Sequence, residues 1–395
     1  MLKSKVPKVI LCLETSRQYG RDLIRGIVLY AKLHGPWTFC IEDNFYRQNK
    51  KSKTVLSWIK KWGANGIIAR DFNYLETLIE VGIPTIIASA FIERDEDIIK
   101  IITDNEEITQ QAYEHFCGRG FRNFAFCGFE DMPWSKRREE SFETIVKSAG
   151  SKIDIFNSDS SRISNWDKEH PRIIKWLKSL PKPVGVLCCN DDRGHDLIEA
   201  CLAGGLKVPF EVAVLGIDND VLICESSHPP LSSISLSTEE AGFLAAATLD
   251  KLMKGEKTDV NTIIVKPKKI VYRQSTDTLA IEDKYVAKAL QYIQNAKNLI
   301  QVNDVINAVN CSRRSLDEKF RRYIGRTVFS EIRRVRVENI SHLLLETDLS
   351  VSQIAFNLGY NDSGHIARFF KQEKNVTPQV FRKQYAFKKL TAEEI

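Results

Sequence analysis

The stretch SVSQIAFNLGYNDSGHIARFFK, residues 350–371, predicts two short helices joined by a tight turn. Ser350 and Gln353 have the spacing of a capping box, in which each side chain accepts the other residue's backbone N–H at a helix start. Apolar residues follow at helical spacing, and Gly359 suits the left-handed turn that ends the first helix. A second helix with a polar outer face completes the layout of a helix-turn-helix unit.

The same layout occurs upstream. Apolar residues recur at helical spacing from Val302 to Val309, Ser312 is placed to cap the next helix, and Gly325 to end it. We therefore predict helix-turn-helix units at 302–324 and 350–374. The polar faces of their second helices supply the candidate DNA contacts: Arg313, Arg314, Ser315, Asp317, Glu318 and Arg321 in the first unit, and Asp362, Ser363, His365 and Arg368 in the second.

A helix of about 20 residues, Thr327 to Glu346, is predicted between the two units and would span roughly 30 Å. Successive major grooves on one face of B-DNA lie ~34 Å apart. One chain could therefore place two recognition helices in adjacent grooves.

The distribution of charge supports this prediction. The net charge is only +6, but residues 281–395 carry 19 Lys and Arg against 13 Asp and Glu, which leaves residues 1–280 neutral. A basic module joined to a neutral partner is typical of a DNA-binding protein. No apolar run is long enough for a membrane span or an export signal, so we expect a cytoplasmic protein with no membrane partner.

The cysteines and the search for catalytic motifs do not indicate an enzyme. The nine cysteines include no C-x-x-C pair, and no nucleophile elbow, zinc-protease motif or Walker loop is present. We expect no catalytic residue, metal site or cofactor. An enzyme acting on sugar or nucleic acid, and a DNA-binding protein without a ligand, stay open as alternatives.

Residues 1–275 alternate β-branched runs with amphipathic helical stretches, which predicts an α/β sensor with two lobes built on doubly wound parallel sheets. Residues 276–284 form the predicted linker, and 285–395 the all-α DNA-binding domain. The predicted strands are Val9–Leu13, Thr38–Ile41, Gly66–Ala69, Thr85–Ala88, Phe124–Cys127, Gly185–Cys189 and Val212–Ile217.

Polar residues follow many of these strands, and α/β sheets bind ligands outside the carboxyl ends of their strands. Carboxylates, amides and guanidinium groups in one cleft suit a polyhydroxylated molecule, since each hydroxyl donates to Asp and accepts from Arg. Trp134 and Phe72 are candidates to pack on a sugar ring. The candidate ligand residues are Tyr19, Arg21, Asp104, Trp134, Arg138, Asn190, Asp191, Arg193 and Asp218.

Residues Val302 to Tyr385 resemble the AraC-type DNA-binding domain. The resemblance lies in Ile354-Ala355-x-x-x-Gly359-Tyr360, Phe370-Lys371 and Thr377-Pro378-x-x-x-Arg382. Two residues depart from the pattern: Gly364 near the start of the second recognition helix, and Ile366 where the family usually has an aromatic. A glycine inside a helix costs on the order of 1 kcal/mol, so we expect weaker DNA binding by the second unit.

Residues 6–274 resemble the LacI/GalR-type periplasmic-binding-protein fold. The sequence segments that carry this resemblance include Asp104-Asn105, Arg138-x-x-x-Phe142, Asn190-Asp191 and Gly216-Ile217-Asp218-Asn219. The resemblance implies that Arg138, Asn190 and Asp218 hold sugar hydroxyls.

A sensor of this kind placed ahead of an AraC-type domain resembles a family of bacterial regulators of pentose-utilisation genes. Local matches include Tyr19-x-Arg21, Trp134 ahead of Arg138, and Asp191-x-Arg193. This resemblance implies an activator that binds D-xylose or a similar sugar, acts as a homodimer on double-stranded operator DNA, and works with RNA polymerase. A response to another sugar or a sugar acid, and repression instead of activation, stay open.

Overall fold

The computed structural model describes residues 6–41, 59, 61–70, 82–88, 98–158, 166–277, 283–296, 298–360 and 362–385. The chain divides into two compact units. The first comprises Met1–Tyr113 and Asn123–Asp277, and the second Glu114–Arg122 and Thr278–Ile395.

The first unit contains two six-stranded sheets, one in each of two lobes. The strands of the first sheet are β1 (Lys8–Cys12), β2 (Thr38–Ile41), β3 (Gly66–Arg70), β4 (Thr85–Ala88), β5 (Ile99–Thr103) and β11 (Thr262–Val265). They lie in the order β11-β5-β4-β3-β1-β2, and all neighbours are parallel.

The second sheet has the order β12-β10-β9-β8-β6-β7. Its strands are β6 (Asn123–Phe129), β7 (Ile153–Ser158), β8 (Val184–Cys188), β9 (Val212–Ile217), β10 (Ser232–Leu236) and β12 (Pro267–Val271). Only β12 is antiparallel to its neighbour among the described pairs, and an antiparallel edge strand is common on such sheets. Since β8 and β9 are buried at every residue, they show no alternation of polar and apolar residues.

Seven described α-helices connect these strands: α1 (Gln18–His34), α2 (Asn105–Gly118), α3 (Pro133–Ser148), α4 (Trp166–Ser179), α5 (Asp191–Gly204), α6 (Val221–Ser226) and α7 (Thr238–Met253). Helices α1 and α7 cross closely because glycine stands at both contact points. A Cβ atom on Gly26 would lie 1.9 Å from the carbonyl oxygen of Glu239, and one on Gly242 would lie 2.1 Å from that of Leu23. A side chain at either position would push the two helices apart.

The described part of the second unit is helical beyond residue 283, apart from its connecting turns. Its helices are α8 (Lys284–Asn295), α9 (Val302–Val309), α10 (Arg313–Ile324), α11 (Val328–Glu346), α12 (Val351–Asn357), α13 (Ser363–Lys374) and α14 (Pro378–Tyr385). The predicted end signals are present. The Ser312 side chain accepts the backbone N–H of Ser315, Gly325 has a φ of 76°, and Ser350 and Gln353 form the capping box.

Two separate hydrophobic cores lie inside this second unit, one for each helix-turn-helix. Helix α11 contributes to both of them. Its first half supplies Val328, Ile332 and Val335 to the core that contains Phe320. Its second half supplies Val337, Ile340 and Leu344 to the core that contains Phe370.

The predicted fold class is confirmed: a two-lobed α/β sensor precedes an all-α region with two helix-turn-helix units. The boundaries at 275 and 285 stay predictions, and residues 278–282 of the linker lie outside the described residues. Among the helices described, none is long and apolar enough to cross a membrane.

Candidate ligand-binding cleft and nucleic-acid interface

The first unit contains a cavity of about 550 Å³ where the carboxyl ends of strands from both lobes meet. This is the place that parallel α/β sheets offer to ligands. Six of the nine predicted ligand residues line it: Tyr19, Trp134, Arg138, Asn190, Asp191 and Asp218.

Arg138 is buried in the cavity wall, with an exposed fraction of 3%. Its Nη1 donates to the carbonyl oxygen of Cys189, and its Nη2 lies 3.5 Å from Oδ1 of Asp218. Its guanidinium lies over the Trp134 ring, 5.4 Å from the ring centroid. Its buried Nε has no acceptor among the described residues, so this arginine retains a hydrogen-bond donor.

Asp218 follows β9 and has a φ of 101°, in the left-handed region that side chains other than glycine rarely adopt. Asn219 after it is also left-handed, with a φ of 52°. Burial raises the pKa of the Asp218 carboxyl, and the positive charges of Arg138 and Arg70 oppose that rise. Backbone strain at a half-buried carboxylate beside two arginines is typical of a binding site.

Asn190 and Asp191 are used partly by the protein itself. The Asn190 side chain caps α5, since its Oδ1 accepts the backbone N–H of Arg193 at 3.0 Å. The Asp191 carboxylate accepts the Ser233 hydroxyl at 2.5 Å and the backbone N–H of Asp220 at 2.6 Å. Burial, and then repulsion by Asp218, raise the pKa of Asp191 well above its ordinary value. Asn190 and Asp191, called the cavity floor below, thus line the cavity and also hold the surrounding backbone in place.

Tyr19 and Arg70 line the cavity from the other lobe. The Arg70 guanidinium lies over the Tyr19 ring, 5.4 Å from the centroid. Burial raises the pKa of the Tyr19 hydroxyl to about 12, so it is a neutral donor and acceptor at physiological pH.

Three of the predicted ligand residues, Arg21, Asp104 and Arg193, do not line the cavity. Arg193 is fully buried, and its Nη2 donates to Glu169 at 2.7 Å and to Ser158 at 2.8 Å. Arg21 pairs with Asp220 at 2.9 Å. Asp104 caps α2 by accepting the backbone N–H of Glu107. Phe72 lies outside the described residues.

Several charged and polar residues of the cavity were not among the candidate ligand residues: Glu14, Arg17, Gln18, Arg70, Asp192, Asp196 and Asp220. Arg70 is the last residue of β3, so the strand-end argument could have found it. Asp196 lies one helical turn beyond Asp192 on the cavity side of α5, a position that helical spacing indicates. Among the described residues, no cluster of His, Cys, Asp and Glu could hold a metal ion.

In the second unit, the first recognition helix α10 presents exposed Arg313, Arg314, Glu318 and Arg321. The Arg314 side chain is 91% exposed, and its Nε donates to Glu318 at 3.0 Å, one helical turn away. An exposed pair of this kind is weak, so the guanidinium is easily released to a DNA acceptor. Ser315 is half-buried beside the cap.

Two of the predicted DNA residues have structural partners. The Asp317 carboxylate accepts the backbone N–H of Val328 at 3.1 Å, and that of Asp362 caps α13 through Gly364 at 3.0 Å. His365 and Arg368 are exposed on α13, and Ser363 is half-buried. Gly364 is the second residue of this helix, directly at its cap, where the cost of a glycine is smaller than in a helix interior.

A sugar-sized polar cleft joined to paired helix-turn-helix units defines a ligand-responsive, DNA-binding transcription regulator. Residues 113–276 match the periplasmic binding protein-like domain family, and residues 305–384 match a helix-turn-helix domain family.

The full-length relatives make the assignment specific. The chain is 30% identical over 386 residues to the xylose operon regulatory protein of Haemophilus influenzae, covering 95% of this chain and 98% of that protein. It is 28% identical to the protein of the same name from Escherichia coli, covering 96% and 97%. The chain belongs to the family of xylose operon regulatory proteins. It is a sugar-responsive transcription regulator and not an enzyme.

One solved structure agrees with this assignment, and a second shares the fold of the first unit. The structure of the xylose-binding transcription activator XylR matches with a TM-score of 0.61 and 26% identity, covering 97% of this chain and all of that one. The transcriptional regulator CelR in complex with cellobiose has the fold of the first unit, with a TM-score of 0.56 at 19% identity over 68% of this chain and 84% of that one.

Proposed function

We propose that this regulator is a homodimeric activator of pentose catabolic genes and that it binds an aldopentose of the D-xylose kind in the cleft of the first unit. The observation that carries the proposal is the grouping of Asp218, Arg138 and Trp134 at one cavity wall. A carboxylate and a guanidinium can take neighbouring hydroxyls, while the indole packs on the apolar face of a sugar ring. Two full-length relatives named for xylose operons support the pentose.

The charges of the cavity favour a neutral sugar over a sugar acid. Six carboxylates lie among its described lining residues, against three guanidinium groups. All three guanidinium groups already face carboxylates: Arg17 with Asp192, Arg70 with Glu14 and Arg138 with Asp218. A further carboxylate on the ligand would enter a site with an excess of negative charge, which costs binding free energy.

We propose that the six predicted residues of the cavity, together with Arg70, make the ligand contacts. Arg21, Asp104 and Arg193 are assigned supporting roles because their side chains are engaged with protein groups.

The helix-turn-helix units are proposed to bind two adjacent major grooves of operator DNA. Helix α11 has 19 residues, about 28 Å in length, which is close to the ~34 Å groove spacing. Sugar binding would change how two sensors pair and so set the spacing of the DNA-binding units beside RNA polymerase. Because the target is chromosomal DNA, we place this action in the cytoplasm.

Tryptophan fluorescence titration of the full chain tests the ligand, because Trp134 lies in the cavity wall. We expect saturable binding of D-xylose and at least tenfold weaker binding of D-xylonate, its acid. DNase footprinting of the promoter with and without D-xylose tests the output, and sedimentation tests the dimer. Tighter binding of the acid would refute the neutral-sugar assignment, and a footprint indifferent to every sugar tested would refute the sensor.

A further inference from the structure

The N-terminus of α1 is capped by a residue from the opposite lobe. The first backbone N–H groups of a helix have no partner inside it, and Arg17, the residue before α1, gives no side-chain cap. Oδ2 of Asp220 instead accepts the backbone N–H of Gln18 at 2.8 Å and Nη2 of Arg21 at 2.9 Å. Helix α1 follows the first strand of one sheet, whereas Asp220 follows β9 of the other.

This carboxylate is occupied mainly by protein donors. The Asp220 side chain is 4% exposed, and the carboxylate also accepts the backbone N–H of Leu222, where it caps α6. Its two oxygens thus accept three hydrogen bonds, two at Oδ2 and one at Oδ1, which leaves little capacity for a sugar hydroxyl.

A second ion pair joins the lobes but is the weaker of the two. Arg17 and Asp192 lie 2.8 Å apart, with side chains that are 45% and 30% exposed. Exposed pairs contribute little because water and salt screen them, whereas a buried, charge-assisted cap retains most of its strength. Of these two ion pairs, the one at Asp220 therefore contributes more to holding the lobes together.

The same residue is joined to the cavity floor. The backbone N–H of Asp220 donates to Asp191 at 2.6 Å, and Asp191 lines the cavity beside Asp218. A movement of Asp191 can therefore reach the N-terminus of α1 through two consecutive hydrogen bonds, from Asp220 to Asp191 and from Gln18 to Asp220.

We propose that Asp220 is a positioning residue that holds the two lobes together and so sets the sugar sensitivity of the regulator without contacting the sugar. The inference rests on the proposed function, in which the sugar binds in this cleft. If the binding-competent state is the one in which the lobes meet, the apparent dissociation constant is the intrinsic one divided by the fraction of protein in that state. Weakening the cap then weakens the binding of every sugar by the same factor.

Three variants of the full chain test this proposal. Asp220→Asn keeps a good capping residue for α6 but removes the charge that faces Arg21. Arg21→Met removes the other partner. Arg25→Met is the matched control, because Arg25 lies on the same helix, is exposed, and pairs only locally with Asp22 among its described contacts.

Tryptophan fluorescence titrations with D-xylose, D-ribose and L-arabinose give the result. We expect Asp220→Asn and Arg21→Met each to raise the dissociation constants of all the bound sugars by one common factor of roughly ten. The double variant should show little more than either single change, and Arg25→Met should show none. Small-angle scattering without sugar should show a larger radius of gyration for the first two variants than for Arg25→Met.

These experiments distinguish failure of the proposed ligand from failure of the proposed role of Asp220. Failure of the unsubstituted chain to bind any sugar would refute the proposed ligand, while the scattering comparison would still test the cap. A factor that differs between sugars would make Asp220 a ligand contact, and unchanged dissociation constants with unchanged scattering would show that it does not hold the lobes together. Either result would overturn the inference.

Discussion

Replacing Arg193 with Met would leave the Glu169 carboxylate buried without its cation. Arg193 has a side-chain exposure of 1% and Glu169 of 6%, and their atoms lie 2.7 Å apart. The guanidinium also lies over two aromatic rings, 5.0 Å from the centroid of Phe129 and 5.7 Å from that of Phe156.

The expected loss is large because a buried charge cannot recover its hydration. Removing one partner of a buried ion pair typically costs about 3–5 kcal/mol of the free energy of unfolding. The first unit has roughly 270 residues, for which that loss corresponds to a fall of roughly 5–9 °C in melting temperature. The double variant Arg193→Met, Glu169→Gln removes both charges and should recover at least half of the loss.

Differential scanning calorimetry of the full chain, with and without D-xylose, measures this effect. Arg172→Met is the matched control, because Arg172 is exposed and lies over the same Phe156 ring that Arg193 contacts. It should change stability by less than ~0.5 kcal/mol. If Arg193→Met kept its melting temperature and lost only sugar binding, Arg193 would be a ligand contact and its structural assignment would be wrong.

Three further predictions concern the cleft and the DNA interface. Asp218→Asn should weaken sugar binding at least ~tenfold, because the charged acceptor beside Arg138 is lost; an unchanged dissociation constant in the fluorescence titration would contradict the site. Arg314→Ala should weaken operator binding by ~1–3 kcal/mol in mobility-shift assays if the residue contacts a base, whereas an equal loss on unrelated DNA would indicate a phosphate contact. Burial raises the pKa of Asp196 to about 6, so the native state keeps a proton that the unfolded chain releases near pH 4, and stability falls as pH rises through this window. Asp196→Asn should therefore raise the melting temperature more at pH 7.5 than at pH 4.5, and a gain independent of pH would contradict this origin.

The strand-end argument located much of the cleft from sequence because parallel sheets bring the carboxyl ends of their strands to one edge. Trp134 and Arg138 lie in the first two turns of α3, Asn190 lies between β8 and α5, and Asp218 directly follows β9, yet all of them line one cavity. The helix-turn-helix units were predictable for a local reason. Their caps, turns and apolar spacing all lie within about 25 residues of chain.

Helical phase, long-range pairing and capping explain why three of the predicted ligand residues do not line the cavity. Arg193 was grouped with its neighbours at a strand end, but it lies one residue past Asp192, about 100° around α5, and so faces the core. Arg21 pairs with Asp220, which is 199 residues away in the other lobe, and a local sequence pattern cannot predict such a pair. Asp104 was used for a helix cap, a role that Asp takes as readily as a ligand contact.

Helix α11 supplies residues to both cores of the second unit, so its length sets the spacing between the two helix-turn-helix units. The distance and rotation between the two recognition helices depend on the covalent length of this one helix, because each core is built on one half of it. One extra residue between Val335 and Val337 would turn the second core by about 100° and shift it by about 1.5 Å. In the proposed binding of two adjacent grooves, the operator geometry that one chain accepts follows from the number of residues in this helix, and the two recognition surfaces can change in sequence without altering it.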